Sequence, residues 1–242
     1  DGYWVKVGED VTLAHADADP VNYDSDGEVE YDNHVGNNLI SYPLISDQSI
    51  GDALGDAASN VYALASEGVA ALWSSDAGQW VGSLTAFEGG RGYWLVATDD
   101  FSFSFNSNGG SLARNSTSVK EMLEIQEFTS RMSEDPAYRA IQSDQQAFFF
   151  VNSATIRGEA LTSEDLIIAY NGDQVVGSRY WNGEFTDIPA MDAKDGDKIS
   201  FKVLDASSGD LLDMETDGNI QWINNGIEVI NMTDVFLPTE VS

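Results

Sequence analysis

The chain has 242 residues, no cysteine, and a formal net charge of −30 from 41 acidic against 11 basic side chains. That length can hold two domains of ordinary size, each with its own core, and the lack of thiols excludes disulfides and thiolate metal sites. A field this negative repels nucleic acid and anionic membrane surfaces, while acids spread through a chain that is 11% aromatic point to a folded, highly soluble protein suited to binding cations rather than a disordered acidic tail.

In chain order, the opening Gly2-Tyr3-Trp4-Val5-Lys6-Val7 returns as Gly92-Tyr93-Trp94-Leu95-Val96-Ala97. Both copies continue into an acidic pair, Glu9-Asp10 or Asp99-Asp100, and an apolar alternation, Val11/Leu13 or Phe101/Phe103. Alternation of this kind predicts a hairpin in each copy and marks an internal repeat. Asp1 falls directly before the closing hairpin of one repeat. The expectation is therefore a piece of a longer protein, or a subunit whose first strand, with Tyr3, Trp4, Val5 and Val7, completes a sheet elsewhere. Residues 1–36 carry ten acids against Lys6 alone. Within them, Asn22-Tyr23-Asp24-Ser25-Asp26-Gly27 matches the first half of an EF-hand loop, but position 12 is Asn33 rather than Glu and no helical pattern flanks it. Two readings stay open: a hairpin turn rich in Asp and Gly, or a calcium site built from Asp17, Asp19, Asn22, Asp24, Asp26 and Glu28.

Gly36 to Pro43 predicts a short strand stopped by proline, and apolar residues from Ile50 to Ala65 recur at helical spacing, predicting one short helix between Ser49 and Glu67. Val69–Trp73, Gln79–Leu84 and Gly92–Val96 predict strands, closing a first domain near Asn108-Gly109-Gly110. The order Asn38-Leu39-Ile40-Ser41-Tyr42-Pro43, Glu67-Gly68-Val69-Ala70, Trp80-Val81-Gly82-Ser83-Leu84 and Gly92-Tyr93-Trp94 resembles the "GWNLIS-P … W-GSL … GYW" repeats of secreted and surface-exposed multidomain proteins, with Asn37 where that family usually has Trp. The resemblance spans about 110 residues and implies export, and places Trp4, Trp80 and Trp94 in the repeat core.

Val119, Met122/Leu123, Gln126, Phe128 and Met132 lie at near-helical spacing after a capping Ser116 or Ser118, so 111–143 reads as a partly helical linker stopped by Pro136. From Gln145 an apolar run predicts a buried strand. Further strands follow at Leu166–Tyr170, Gln174–Tyr180, Lys198–Leu204, Ile220–Trp222 and Gly226–Asn231, separated by turns such as Asn171-Gly172-Asp173. Gln146-Ala147-Phe148, Ala169-Tyr170-Asn171-Gly172-Asp173, Val176-Gly177-Ser178-Arg179, Trp181-Asn182-Gly183 and Phe201-Lys202-Val203-Leu204-Asp205 are similar to a β-sandwich module near the C-termini of large extracellular proteins of aquatic bacteria. The fold expected is mainly β: a repeat domain with one short helix over 1–110, the opening hairpin 1–16 belonging to a preceding repeat, a linker over 111–143, and an antiparallel β-sandwich over 144–242.

Chemistry is sparse. His15 and His34 are the only histidines, and no phosphate loop, His-Glu-x-x-His or dinucleotide fingerprint occurs. His15 aligns with Phe105 and reads as a strand residue; His34 reads as a surface residue. Asn115-Ser116-Thr117 and Asn231-Met232-Thr233 fit the glycosylation sequon. Glu184, Asp187 and Asp192 form a second acidic group for calcium. Tyr170, Tyr180, Trp181 and Phe185 cluster around turns, and read either as strand-end core plugs or as stacking faces for a sugar. The expectation is a non-catalytic extracellular module, structural or adhesive, that assembles with copies of itself through β-strand pairing. The runner-up is a carbohydrate-binding accessory module of a secreted enzyme.

Overall fold

The computed structural model describes residues 7–12, 29–106 and 118–235. The described chain is mainly β. Its first strands are β1 (Tyr31–Asn33), β2 (Gly36–Ser41), β3 (Gln48–Ser49), β4 (Val61–Ser66), β5 (Val69–Ser74), β6 (Gln79–Gly82), β7 (Ala86–Phe87), β8 (Gly92–Ala97) and β9 (Phe101–Phe103). After the helix α2 (Val119–Thr129) come β10 (Gln146–Ile156), β11 (Glu159–Ala160), β12 (Leu166–Asn171), β13 (Gln174–Tyr180), β14 (Thr186–Met191), β15 (Ile199–Leu204), β16 (Leu211–Thr216) and β17 (Ile227–Asp234). The contacts divide the chain into two compact units that do not follow chain order: 1–64 with 86–122, and 65–85 with 123–242.

In the first unit β8 lies between β2 and β4, β1 pairs with β9, and β3 pairs with β7. Strand alternation on β8 sends Tyr93, Leu95 and Ala97 into the core and leaves Trp94 half-buried on the opposite face. Tyr93, not Trp94 as expected, is thus the core residue, and the Trp94 indole N–H finds no partner among the described residues. The core is aromatic: Tyr31, Tyr42, Phe87, Tyr93, Phe103 and Phe105 are buried and meet ring to ring at 4.7–5.6 Å. Inside it the Tyr42 hydroxyl donates to Gln48 Oε1 at 2.7 Å, and burial pushes its pKa up. Burial likewise pushes Tyr93 up to about 12.

The helix expected over 49–67 is confined to α1 (Ile50–Leu54), where Ser49 Oγ accepts from Asp52 N at 3.1 Å as an N-cap. Gly55, at φ +53, ends it; a 3₁₀ stretch follows over Gly55–Asn60, and Val61–Ser66 is β4. Spacing of three and four cannot separate a buried strand from a helix over so short a run. Val61, Ala63, Leu64 and Ala65 are buried in extended backbone.

In the second unit β10 is the long central strand. It pairs antiparallel with β14 on one edge, and on the other with β17 in parallel, with a bulge between Val151 and Ser153. The sheet continues through β16, β15, β12 and β13. It curls so that β13 comes back against β14: a Cβ on Gly177 would overlap the Pro189 carbonyl oxygen, so only glycine permits the approach. Phe149, Ile167, Val203, Phe201, Trp181 and Trp222 lie in one apolar cluster between the curled faces. The indole N–H of Trp222 donates to the Ala190 carbonyl at 2.8 Å. Strands expected at 166–170, 174–180, 198–204 and 226–231 are present within a residue or a few. The strand expected over 220–222 is a single bridge, Lys198 to Gln221. The helix predicted within 111–143 is present as α2, opened by a reciprocal box in which Ser118 N donates to Glu121 Oε2 at 2.7 Å and Glu121 N to Ser118 Oγ at 3.3 Å.

Candidate functional site

The antiparallel hairpin β5–β6 belongs to the second unit, although its sequence lies far from the rest of that unit. Four buried polar side chains hold it there: Ser83, Gln146, Arg179 and Asp187, none exposed beyond 0%. Asp187 Oδ1 accepts from Ser83 N at 2.8 Å, and Oδ2 from Ser83 Oγ at 2.7 Å and Ala70 N at 3.1 Å. Arg179 donates through Nε to the Asp187 carbonyl and through Nη2 to the Gly68 carbonyl, with Asp187 Oδ2 at 3.4 Å. Gln146 completes the clamp: its Nε2 donates to the Ser66 carbonyl at 2.9 Å and its Oε1 accepts from Gly68 N at 3.4 Å. Gly68 turns at φ +70, which frees its N–H and carbonyl for these partners.

Burial pushes the Asp187 carboxyl up, and the Arg179 charge and Ser83 hydroxyl pull it back. Burial pushes Arg179 down against the opposing pull of Asp187. A buried pair of this kind is held by its hydrogen bonds to backbone more than by Coulomb attraction, because desolvation offsets most of the latter. The group is a lock: its donors and acceptors are turned onto the protein's own backbone. Arg179 Nη1, without a partner among the described residues, is the exception. Gly82, at φ +109, lets the Phe150 ring and the Ala70 carbonyl lie against the same spot, where a Cβ would press on both.

The aromatic cluster expected around the 170s and 180s is partly spent. Trp181 is 8% exposed and part of the core. The Tyr180 ring is faced by the Arg131 guanidinium at 5.2 Å, which also covers Phe128 at 4.1 Å. Lys202 Nζ stands 5.8 Å from the Tyr170 ring. Phe185 sits at φ +62 in the β13–β14 turn, half-buried.

Of the acidic groups, Asp187 is inside the lock. Glu184 and Asp192 lie with it among the described residues, where no group of three or more His, Asp or Glu is arranged to hold a metal ion. Asp17, Asp19, Asn22, Asp24, Asp26 and Glu28 lie outside the described residues, as do His15, Tyr3, Trp4 and Val5. Val7 is described and exposed. His34 is exposed, with Nδ1 3.0 Å from the Val35 carbonyl oxygen. The Asn231 amide donates to Asp217 and its Oδ1 accepts from Asn152 and Ser153, so that sequon's side chain is committed to the fold.

Sequence reasoning missed a cleft of about 570 Å³ in the first unit, between the turn after α1 and β9. Phe101 and Phe103 line it, their centroids 5.7 Å apart and planes 27° from parallel, with Asp56, Asn60 and Asn106 at the rim. The hydroxyls of Ser102 and Ser104 donate to Asp32 Oδ1 at 2.6 Å and the Val29 carbonyl at 2.7 Å. The available signal was Phe101/Phe103 standing where the opening repeat has Val11/Leu13. Comparison of the chain with protein-family models, with curated proteins and with solved structures finds no match.

Proposed function

We propose that the chain is a non-catalytic structural or adhesive module of an extracellular protein, two β-rich domains joined by a partly helical linker, which assembles through strand pairing. The observation that carries the reading is the position of β8. The strand bearing Gly92-Tyr93-Trp94 lies between two neighbours, β2 and β4, and turns Tyr93, Leu95 and Ala97 into a core. Gly2-Tyr3-Trp4-Val5 repeats that sequence, so the same alternation suits it to a place inside a sheet, and a neighbouring copy of the repeat offers one. The second unit supports a scaffold role in its own way, because its buried charges are spent on holding backbone. No helix among the described residues is long and apolar enough to cross a membrane.

Light scattering on the intact chain and on a chain lacking residues 1–16 tests assembly. The intact chain is expected to form oligomers whose mass falls to that of a monomer on deletion. Two monomers of equal behaviour would end the assembly reading. Calcium in the 17–28 segment is a separate proposal, tested by thermal unfolding with calcium and with EDTA, where the midpoint is expected to rise with the ion.

A further inference from the structure

We infer that the cleft between the turn after α1 and β9 binds a neutral saccharide chain. This goes beyond the assembly reading and does not depend on it. The cleft is concave and within the size range of small-ligand sites. Two aromatic side chains are part of its lining: Phe103, buried at 7% and fixed by β-pairing to Tyr31, and Phe101, half-buried. A pyranose presents an apolar C–H face that stacks on such a ring, and hydroxyls at its edge that need acceptors and donors. Those are present in the lining as the exposed Asp56 carboxylate and the Asn60 amide.

Charge and polarity narrow the ligand class. Among the described residues no Lys, Arg or His lines the cleft, and the chain carries −30, so an anionic ligand meets repulsion. A lipid-like ligand would leave the carboxylate and amides of the rim desolvated and unmatched. A basic peptide would find one carboxylate, Asp56, among the described residues of the lining. A neutral polyhydroxyl ligand uses the ring and the polar rim together. Because the opening stretch has Val11 and Leu13 at the matching positions, the phenylalanine pair is particular to the 92–105 stretch.

The test uses the intact chain on an array of immobilised neutral oligosaccharides built from glucose, galactose, mannose, xylose and N-acetylglucosamine, with sulfated and uronic-acid chains alongside. Saturable binding to one or more neutral chains is expected. It should weaken about tenfold or more in Phe101→Ala and in Asp56→Ala, and be unchanged in Tyr170→Ala. Asp56→Ala lies at an exposed position, so its loss of binding does not depend on Phe101→Ala folding well, and near-ultraviolet circular dichroism checks both. Binding to no neutral chain, binding to charged chains only, or neutral-chain binding that Asp56→Ala leaves intact would each overturn the inference. The mass measurement above is unaffected by any of these outcomes.

Discussion

At the scale of single residues, Asp187 carries the most. It matches two backbone amides, one hydroxyl and one guanidinium in a site without water access. Asp187→Ala leaves all four donors behind in apolar surroundings, and the expected loss is about 3–5 kcal/mol in urea unfolding. Ser83→Ala removes one charge-assisted bond and is expected to lose about 1.5–3 kcal/mol. Combining Arg179→Met with Asp187→Leu should lose less than the two single changes summed, because each single change strands the other partner's charge. Asp205 behaves differently. The Ser207 and Ser208 hydroxyls hold its carboxyl down to about 2 from an ordinary 3.8, and Arg157 lies 2.9 Å away. A carboxyl lowered on folding supplies stability that is complete above its unfolded value and disappears as pH falls toward the folded one. Unfolding measured between pH 4.5 and pH 2 should therefore show the native protein losing its advantage over Asp205→Asn as acid is added. An advantage that holds constant across that range would show the hydrogen bonds are not selective for the ionised form.

At the scale of elements, the approach of β13 to β14 depends on Gly177. Gly177→Ala forces backbone apart at the Pro189 carbonyl, and the thermal midpoint is expected to fall by several degrees or more. The β5–β6 hairpin has a different support: Trp73 and Trp80 face each other across the strands, ring centroids 5.6 Å apart and 69° from parallel. A double-mutant cycle on these two, read by urea unfolding, is expected to give a coupling of about 0.5–1.5 kcal/mol, and a coupling near zero would mean that the half-exposed rings stabilise nothing. Elements marked by turns were legible in the sequence. β13 was placed to the residue because Asn171-Gly172-Asp173 supplies the positive φ of a tight turn, at Gly172 +60°. β14 was not legible, since Asp187 and Pro189 both argue against a strand, and Pro189 is tolerated because, among the described residues, β14 pairs with β10 alone. β16 was hidden by its acids, Asp213 and Glu215, which lie on its exposed face. The lock could not be read either: Ser83 and Asp187 are 104 residues apart, and nothing in local pattern tells a buried aspartate from a surface one.

At the scale of the whole molecule, the −30 charge sets the response to solution conditions. Like charges spread over a folded surface repel, and salt screens them with a Debye length of about 10 Å at 0.1 M. The unfolding midpoint is expected to rise between 10 mM and 500 mM sodium chloride, and a midpoint that falls would mean that specific ion pairs outweigh the net repulsion. With 11 basic side chains against 41 acids, pairs such as Lys202 with Asp213 at 2.7 Å can neutralise only a minority of the acids, which favours the first result. The −30 charge and the β content were readable from composition and pattern. The grouping of 65–85 with 123–242 was not, because it depends on long-range polar contacts rather than on any change in composition along the chain.

That grouping sets an order of events on the ribosome. At roughly 5–20 residues per second, Asp187 is synthesised about 5–20 s after Ser83, so the nascent β5–β6 hairpin emerges and waits with its anchoring amides open to water. Until the later strands arrive its buried polar partners are missing, a window in which a chaperone or a neighbouring nascent chain would meet it first.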